Sequence, residues 1–83
     1  MRIAMIGTGY VGLVSGACFA DFGHRVTCVD TDASKIESLV RGQMPIFEPD
    51  LDRLVETSVK AGRLDFTTDI AGPVGKADAV FIA

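Results

Sequence analysis

Apolar residues gather in four short runs along this chain, and the stretches between them carry helical spacing. Ile3 to Ile6 is the first run, closed by Gly7. A continuous apolar run of that length, stopped by glycine, suits a strand buried on both faces of a parallel sheet. Tyr10 to Phe22 holds no proline and little charge, and Gly23 stands where a helix C-cap belongs. Arg25 to Val29 reads as a second strand ending at Asp30. Asp32 then caps a helix in which Ile36, Leu39 and Val40 share a face, Glu37 and Arg41 pair one turn apart, and Gly42 is the stop. Gln43 to Pro49, with two prolines, predicts an extended loop. Asp50 caps a third helix whose stripe is Leu51, Leu54, Val55 and Val59, ending at Gly62. Leu64 to Thr68 is a third strand and Asp78 to Ala83 a fourth. Gly72, Pro73 and Gly75 leave room only for a short or irregular helix between them.

The predicted order is β-α-β-α-α-β-(short α)-β. Right-handed crossovers wind such units one way from the first strand. The usual return of the fourth strand to the other side of the first gives spatial order 3-2-1-4. This is an α/β fold, a Rossmann-type doubly wound parallel sheet, with residues 1–83 forming its first half. The second half of such a sheet is expected beyond Ala83. An unpaired fourth strand with uncovered apolar side chains is expected to make the 83-residue chain associate or stay partly disordered.

Candidate chemistry centres on the first turn. Gly7-Thr8-Gly9-Tyr10-Val11-Gly12 has the spacing G-x-G-x-x-G, which carries weight here because it follows a strand, opens a helix and lies inside a β-α-β unit. Gly7 permits the tight turn, Gly9 lets a pyrophosphate approach the main chain, and Gly12 lets the helix pack against the strands. The amides of Tyr10 and Val11 begin a helix, lack intrahelical acceptors and favour an anion. Gly12, Gly16 and Ala20 recur every four residues and give that helix a face without bulk. Two interior glycines cost roughly 1 kcal/mol each relative to alanine, which close packing must offset. Asp30, twenty-one residues after Gly9, stands where a carboxylate accepts both hydroxyls of an adenine ribose. A 2′-phosphate would be repelled there, so the expected cofactor is NAD rather than NADP. The ligand crevice is expected above the first and fourth strands.

Composition narrows the partners. Apolar residues make up 48% and charged ones 23%, with net charge −3 and no basic cluster, which argues against nucleic acid. Cys18 and Cys28, ten apart in apolar segments, match neither a zinc nor a redox spacing and read as packing residues. The first apolar run is too short for a secretory signal and no later one could span a bilayer, so a cytoplasmic protein without a membrane partner is expected. His24, just past a helix end, reads as solvated or capping, and Glu48 as structural or site-forming. No catalytic constellation and no metal site is predicted in these residues.

The whole chain resembles the UDP-glucose/GDP-mannose dehydrogenase family. The likeness rests on Gly7-Thr8-Gly9-Tyr10-Val11-Gly12-Leu13 and Gly23-His24 before the second strand. It continues through Lys35-Ile36, Gly42, Pro45-Ile46, Glu48-Pro49, Thr67-Thr68-Asp69 and Ala79-Val80-Phe81-Ile82. The run Gly16 to His24 looks more like the UDP-glucose branch. The resemblance implies an NAD-dependent oxidoreductase that converts UDP-glucose to UDP-glucuronate with two NAD reduced, using a cysteine and a lysine far downstream. Cys18 and Cys28 do not match that cysteine motif. It implies Gly7, Gly9, Tyr10, Val11 and Gly12 for the pyrophosphate, and Asp30 with Lys35 for the adenosine ribose. The resemblance also implies a central helix and a substrate-binding catalytic domain beyond Ala83, and a homo-oligomer at full length. A GDP-mannose or UDP-N-acetyl-hexosamine dehydrogenase is the alternative within the group. A nucleotide-sensing domain without catalysis is the alternative outside it, and it has no use for the Pro45-Ile46 and Glu48-Pro49 signature. Two departures stand out: Asp50 replaces a usual glycine, and Gly72-Pro73-Val74-Gly75 replaces a usually helical stretch.

Overall fold

The structure is a computed structural model that describes residues 1–45 and 48–83. Its elements follow the predicted order: β1 (Arg2–Ile6), α1 (Tyr10–Asp21), β2 (Arg25–Val29), α2 (Ala33–Val40), α3 (Leu51–Lys60), β3 (Leu64–Thr67), α4 (Ala71–Lys76) and β4 (Ala79–Ile82). The sheet runs β3-β2-β1-β4, and every pairing is parallel. Strand order and the Rossmann-type class are as the apolar runs predicted. Ile46 of the family signature lies in the Gln43 to Pro49 loop, outside the described residues.

Register sorts the side chains into two faces. Ile3 lies beside Val26 and Ala79, Met5 beside Cys28 and Phe81, and Val26 beside Leu64. This set meets α1, where Leu13, Ala17 and Ala20 are fully buried. Leu39 of α2 and Leu51 and Val55 of α3 complete the same core. A Cβ on Gly16 would lie 2.8 Å from Cys28 Sγ, so the small face of α1 sits directly on β2. That close approach offsets the low helix propensity of its glycines.

Several local expectations are borne out. Asp32 Oδ1 accepts hydrogen bonds from the amides of Ser34 (3.1 Å) and Lys35 (3.2 Å), the side-chain cap predicted for α2. Glu37 and Arg41 form their ion pair. Gly23, Gly42 and Gly62 all take positive φ beyond the ends of α1, α2 and α3. α4 is short, as expected, yet regular: Pro73 is its third residue, where no intrahelical hydrogen bond is lost.

Three expectations are corrected. Val40 does not share the buried face of Ile36 and Leu39; it is 66% exposed at the last position of α2, on the rim of a groove it shares with Leu64 and Phe66 of the edge strand β3. Val59 is exposed too, and Ser58 is buried instead, because α3 also packs on α1 and presents a face rotated by one residue. Ser58 Oγ has no hydrogen-bond partner among the described residues. Asp50 occupies the N-cap position of α3 but does not cap it through its side chain. Its φ is +66°, in the left-handed region that favours glycine, and its carboxylate turns to Arg53 at 3.3 Å.

Candidate functional site

The glycine loop joins β1 to α1 at the carboxyl edge of the sheet, where strand ends supply the ligand sites of open α/β folds. Gly7 has φ +106°, and its amide donates to Val29 O at 2.7 Å, which ties the loop to the end of β2. A Cβ there would also come within 2.7 Å of Ala83 O. Only glycine meets both conditions. A Cβ on Gly12 would overlap the Gly7 carbonyl oxygen and come within 2.9 Å of its carbon. Gly12 therefore lets α1 start against its own loop, while packing on the strands, the task predicted for Gly12, falls to Gly16.

Gly9 differs from both. Its φ of −70° is open to any residue, and among the described residues beyond its chain neighbours a Cβ there would meet nothing within 4 Å. The main chain at this position is thus open to approach. Gly9 is also the N-cap of α1 and offers no side-chain oxygen, and the first turn of α1 holds no acid. The positive end of this helix has no side-chain cap and no neighbouring acid, an arrangement that favours an anion. Tyr10 and Val11 are exposed beside it.

Asp30 stands just past β2, as predicted, and faces the loop. Its Oδ2 accepts from the Thr8 amide at 3.1 Å and the Thr8 hydroxyl at 2.7 Å, and its Oδ1 accepts from the Asp32 amide at 3.0 Å. Lys35 Nζ lies 3.9 Å from Oδ2. The Asp32 amide and then the Thr8 hydroxyl hold this carboxyl below its ordinary range; burial opposes them weakly, and Lys35 adds the smallest effect. Such a depressed acid contributes stability above its unfolded range and loses it as pH falls through the folded value. The side chain is 16% exposed, so the carboxylate is neither a loose turn residue nor fully consumed.

Glu48, left open by the sequence, comes to the rim of the site: its Oε2 accepts from the Tyr10 hydroxyl at 3.2 Å. That hydrogen bond and the glutamate's charge push the Tyr10 phenol up. His24 lies away from the loop and packs edge-on against Phe19 at 6.5 Å. Cys28 is buried and Cys18 half-buried. The residue that sequence reasoning missed is Thr8. In G-x-G-x-x-G it counts as an unspecified position, and its partner lies 22 residues away. A groove of about 740 Å³ lies between α4 and the starts of β2 and β3, and the glycine loop does not line it.

A strand, a glycine turn, an uncapped helix start and a carboxylate at the next strand end define a dinucleotide-binding unit. The chain belongs to the UDP-glucose/GDP-mannose dehydrogenase family, whose NAD-binding-domain model matches residues 1–83. It is 63% identical over 83 residues to a UDP-glucose 6-dehydrogenase of Rhizobium meliloti, covering 100% of this chain and 19% of that protein. It is 55% identical over 82 residues to the UDP-glucose 6-dehydrogenase TuaD of Bacillus subtilis, covering 99% of this chain and 18% of that one. Among solved structures, GDP-mannose dehydrogenase from Pseudomonas aeruginosa, in a ternary complex, superposes with a TM-score of 0.95 at 41% identity. The match covers 100% of this chain and 19% of that one. The chain thus spans about a fifth of the length of the relatives it matches. Among the described residues no helix is long and apolar enough to cross a membrane.

Proposed function

We propose that this chain holds NAD at the carboxyl edge of its sheet, in the crevice over β1 and β4. Gly7, Gly9, Tyr10, Val11 and Gly12 take the pyrophosphate on main-chain amides and the start of α1. Asp30 takes the adenosine ribose, with Lys35 beside it. The carrying observation is Gly9: it is a glycine that neither its φ nor its packing among the described residues requires, placed beside a carboxylate anchored to the same loop. When bound, NAD supplies the hydride acceptor; these residues bind and orient it.

The whole protein that carries this chain is read as a UDP-glucose 6-dehydrogenase, oxidising UDP-glucose to UDP-glucuronate with two NAD. The higher identity to proteins of that name supports this over the GDP-mannose alternative, which the close superposition keeps in view. Its expected partner is a nucleotide sugar, its expected state a homo-oligomer and its expected location the cytoplasm. The test is NADH formation by the complete protein with UDP-glucose, GDP-mannose and a UDP-N-acetyl-hexosamine supplied separately. UDP-glucose is expected to be used best; a clear preference for either of the others sinks the substrate assignment. NAD is expected to bind at least 10-fold more tightly than NADP, because a 2′-phosphate beside Asp30 meets like charge. Asp30→Ala is expected to shrink that preference.

A further inference from the structure

A carboxylate that recognises a sugar hydroxyl must present a defined oxygen, and a short side chain at a strand end can rotate freely unless something holds it. Asp30 is held from two sides. A carboxylate offers about four acceptor positions, two on each oxygen. Here the Thr8 hydroxyl and amide take both positions on Oδ2, and the Asp32 amide takes one on Oδ1. Acceptor capacity therefore remains on Oδ1. Thr8 is fully buried in the middle of the glycine loop, so its hydroxyl cannot swap this partner for water.

We infer that Thr8 is a positioning residue of this site, whose hydroxyl fixes the Asp30 carboxylate and locks the glycine loop to the end of β2. The inference rests on the cofactor reading above and adds to it a coupling between two parts of the ligand. The loop that meets the pyrophosphate and the acid that meets the ribose are one hydrogen-bonded unit. Loss of the hydroxyl removes the shorter of the two bonds on Oδ2, leaves that oxygen to the Thr8 amide alone at 3.1 Å, and loosens the loop at its buried point. Lys35, at 3.9 Å and 40% exposed, is too distant to take over that restraint.

The test is calorimetric titration of NAD into the complete protein that carries this chain, as wild type and as Thr8→Ser, Thr8→Ala, Thr8→Val and Asp30→Ala. Positioning by the hydroxyl predicts Thr8→Ser within about twofold of wild type. It predicts Thr8→Ala and Thr8→Val each weaker by about tenfold, the scale of one charge-assisted hydrogen bond, and Asp30→Ala at least as weak. Serine and alanine lose the same methyl and differ by the hydroxyl, so that pair decides the matter even if the valine variant fails to fold. A purely packing role gives another ranking, with valine nearest wild type and serine equal to alanine. That ranking overturns the inference, as does wild-type affinity in Thr8→Ala beside a weakened Asp30→Ala; both leave the cofactor reading standing. Wild-type protein that fails to bind NAD, or Asp30→Ala that binds it unchanged, overturns both.

Discussion

The two faces of this sheet carry similar strands and quite different surroundings. On the α1 face, Ile3, Met5, Val26, Cys28 and Leu64 are buried beneath α1, α2 and α3. On the opposite face Ala4 and Val29 are buried near its middle, but Thr27 and Asp65 share an exposed hydrogen bond of 2.7 Å, Val80 is exposed, and Ile82 is 85% exposed, with the six residues of α4 alongside. Strand character alone does not bury a strand; the covering layer does. The larger part of the buried core lies on the α1 face. The candidate site lies at the carboxyl edge, where its loop is tied to the end of β2.

That contrast can be broken by mutation. Leu13→Ala, in the filled face, is expected to destabilise by about 2–5 kcal/mol, while Ile82→Ala on the open face changes stability by no more than about 0.5 kcal/mol. Urea unfolding of the two variants reads the difference, and equal losses would abolish the distinction. Gly16→Ala asks whether the α1 face is as tight as it looks. A Cβ 2.8 Å from Cys28 Sγ predicts a loss of about 1–3 kcal/mol, whereas a slack interface would gain from the better helix former.

Cys28 reports on the same seam by chemistry. Burial first, and then the charge of Asp65, pushes its thiol from 9.0 up to about 12. A thiol-specific alkylating reagent at pH 8 should therefore leave Cys28 unmodified until the chain unfolds. The sign follows: a raised folded value means stability fully present below about pH 9, falling as pH climbs toward 12. Mass spectrometry of the labelled native protein checks the first point and unfolding midpoints across alkaline pH the second. The smallest effect is expected at Asp50→Gly. Glycine relieves the left-handed strain and forfeits the exposed pair with Arg53, for a net gain of a few tenths of a kcal/mol seen as a slightly higher Tm.

Much of this was legible in the sequence because the signals were local. Glycines and prolines punctuated the apolar runs, Asp32 capped within three residues, and the loop and Asp30 fell at a spacing with mechanical meaning. The errors arose where a partner lay far along the chain. Val40 and Val59 follow helical periodicity, but the contacts of α2 with the sheet edge and of α3 with α1 decide which residue turns inward. Asp50 has the chemistry of a cap, and its backbone conformation, set by the loop before it, points the side chain elsewhere. Thr8 carries no local mark at all, since its role exists only once β1 and β2 lie side by side.

The abutment of Ala83 on Gly7 has a consequence for the order of assembly. Ile6 O accepts the Ala83 amide at 2.9 Å, and Ala83 lies within contact range of the positions a Cβ would fill on both Gly7 and Gly12. The loop at the front of the chain is thus braced by a residue 76 positions later. As the polypeptide leaves the ribosome, β1, α1 and β2 can zip together early and tie the turn to Val29 and Asp30, yet its contact with Ala83 waits until β4 docks. Closing a loop of that length carries an entropic cost that the β1-α1-β2 contacts do not. The last support of the turn is therefore added late, after the sheet's crossover, although every glycine of the turn is among the first twelve residues made.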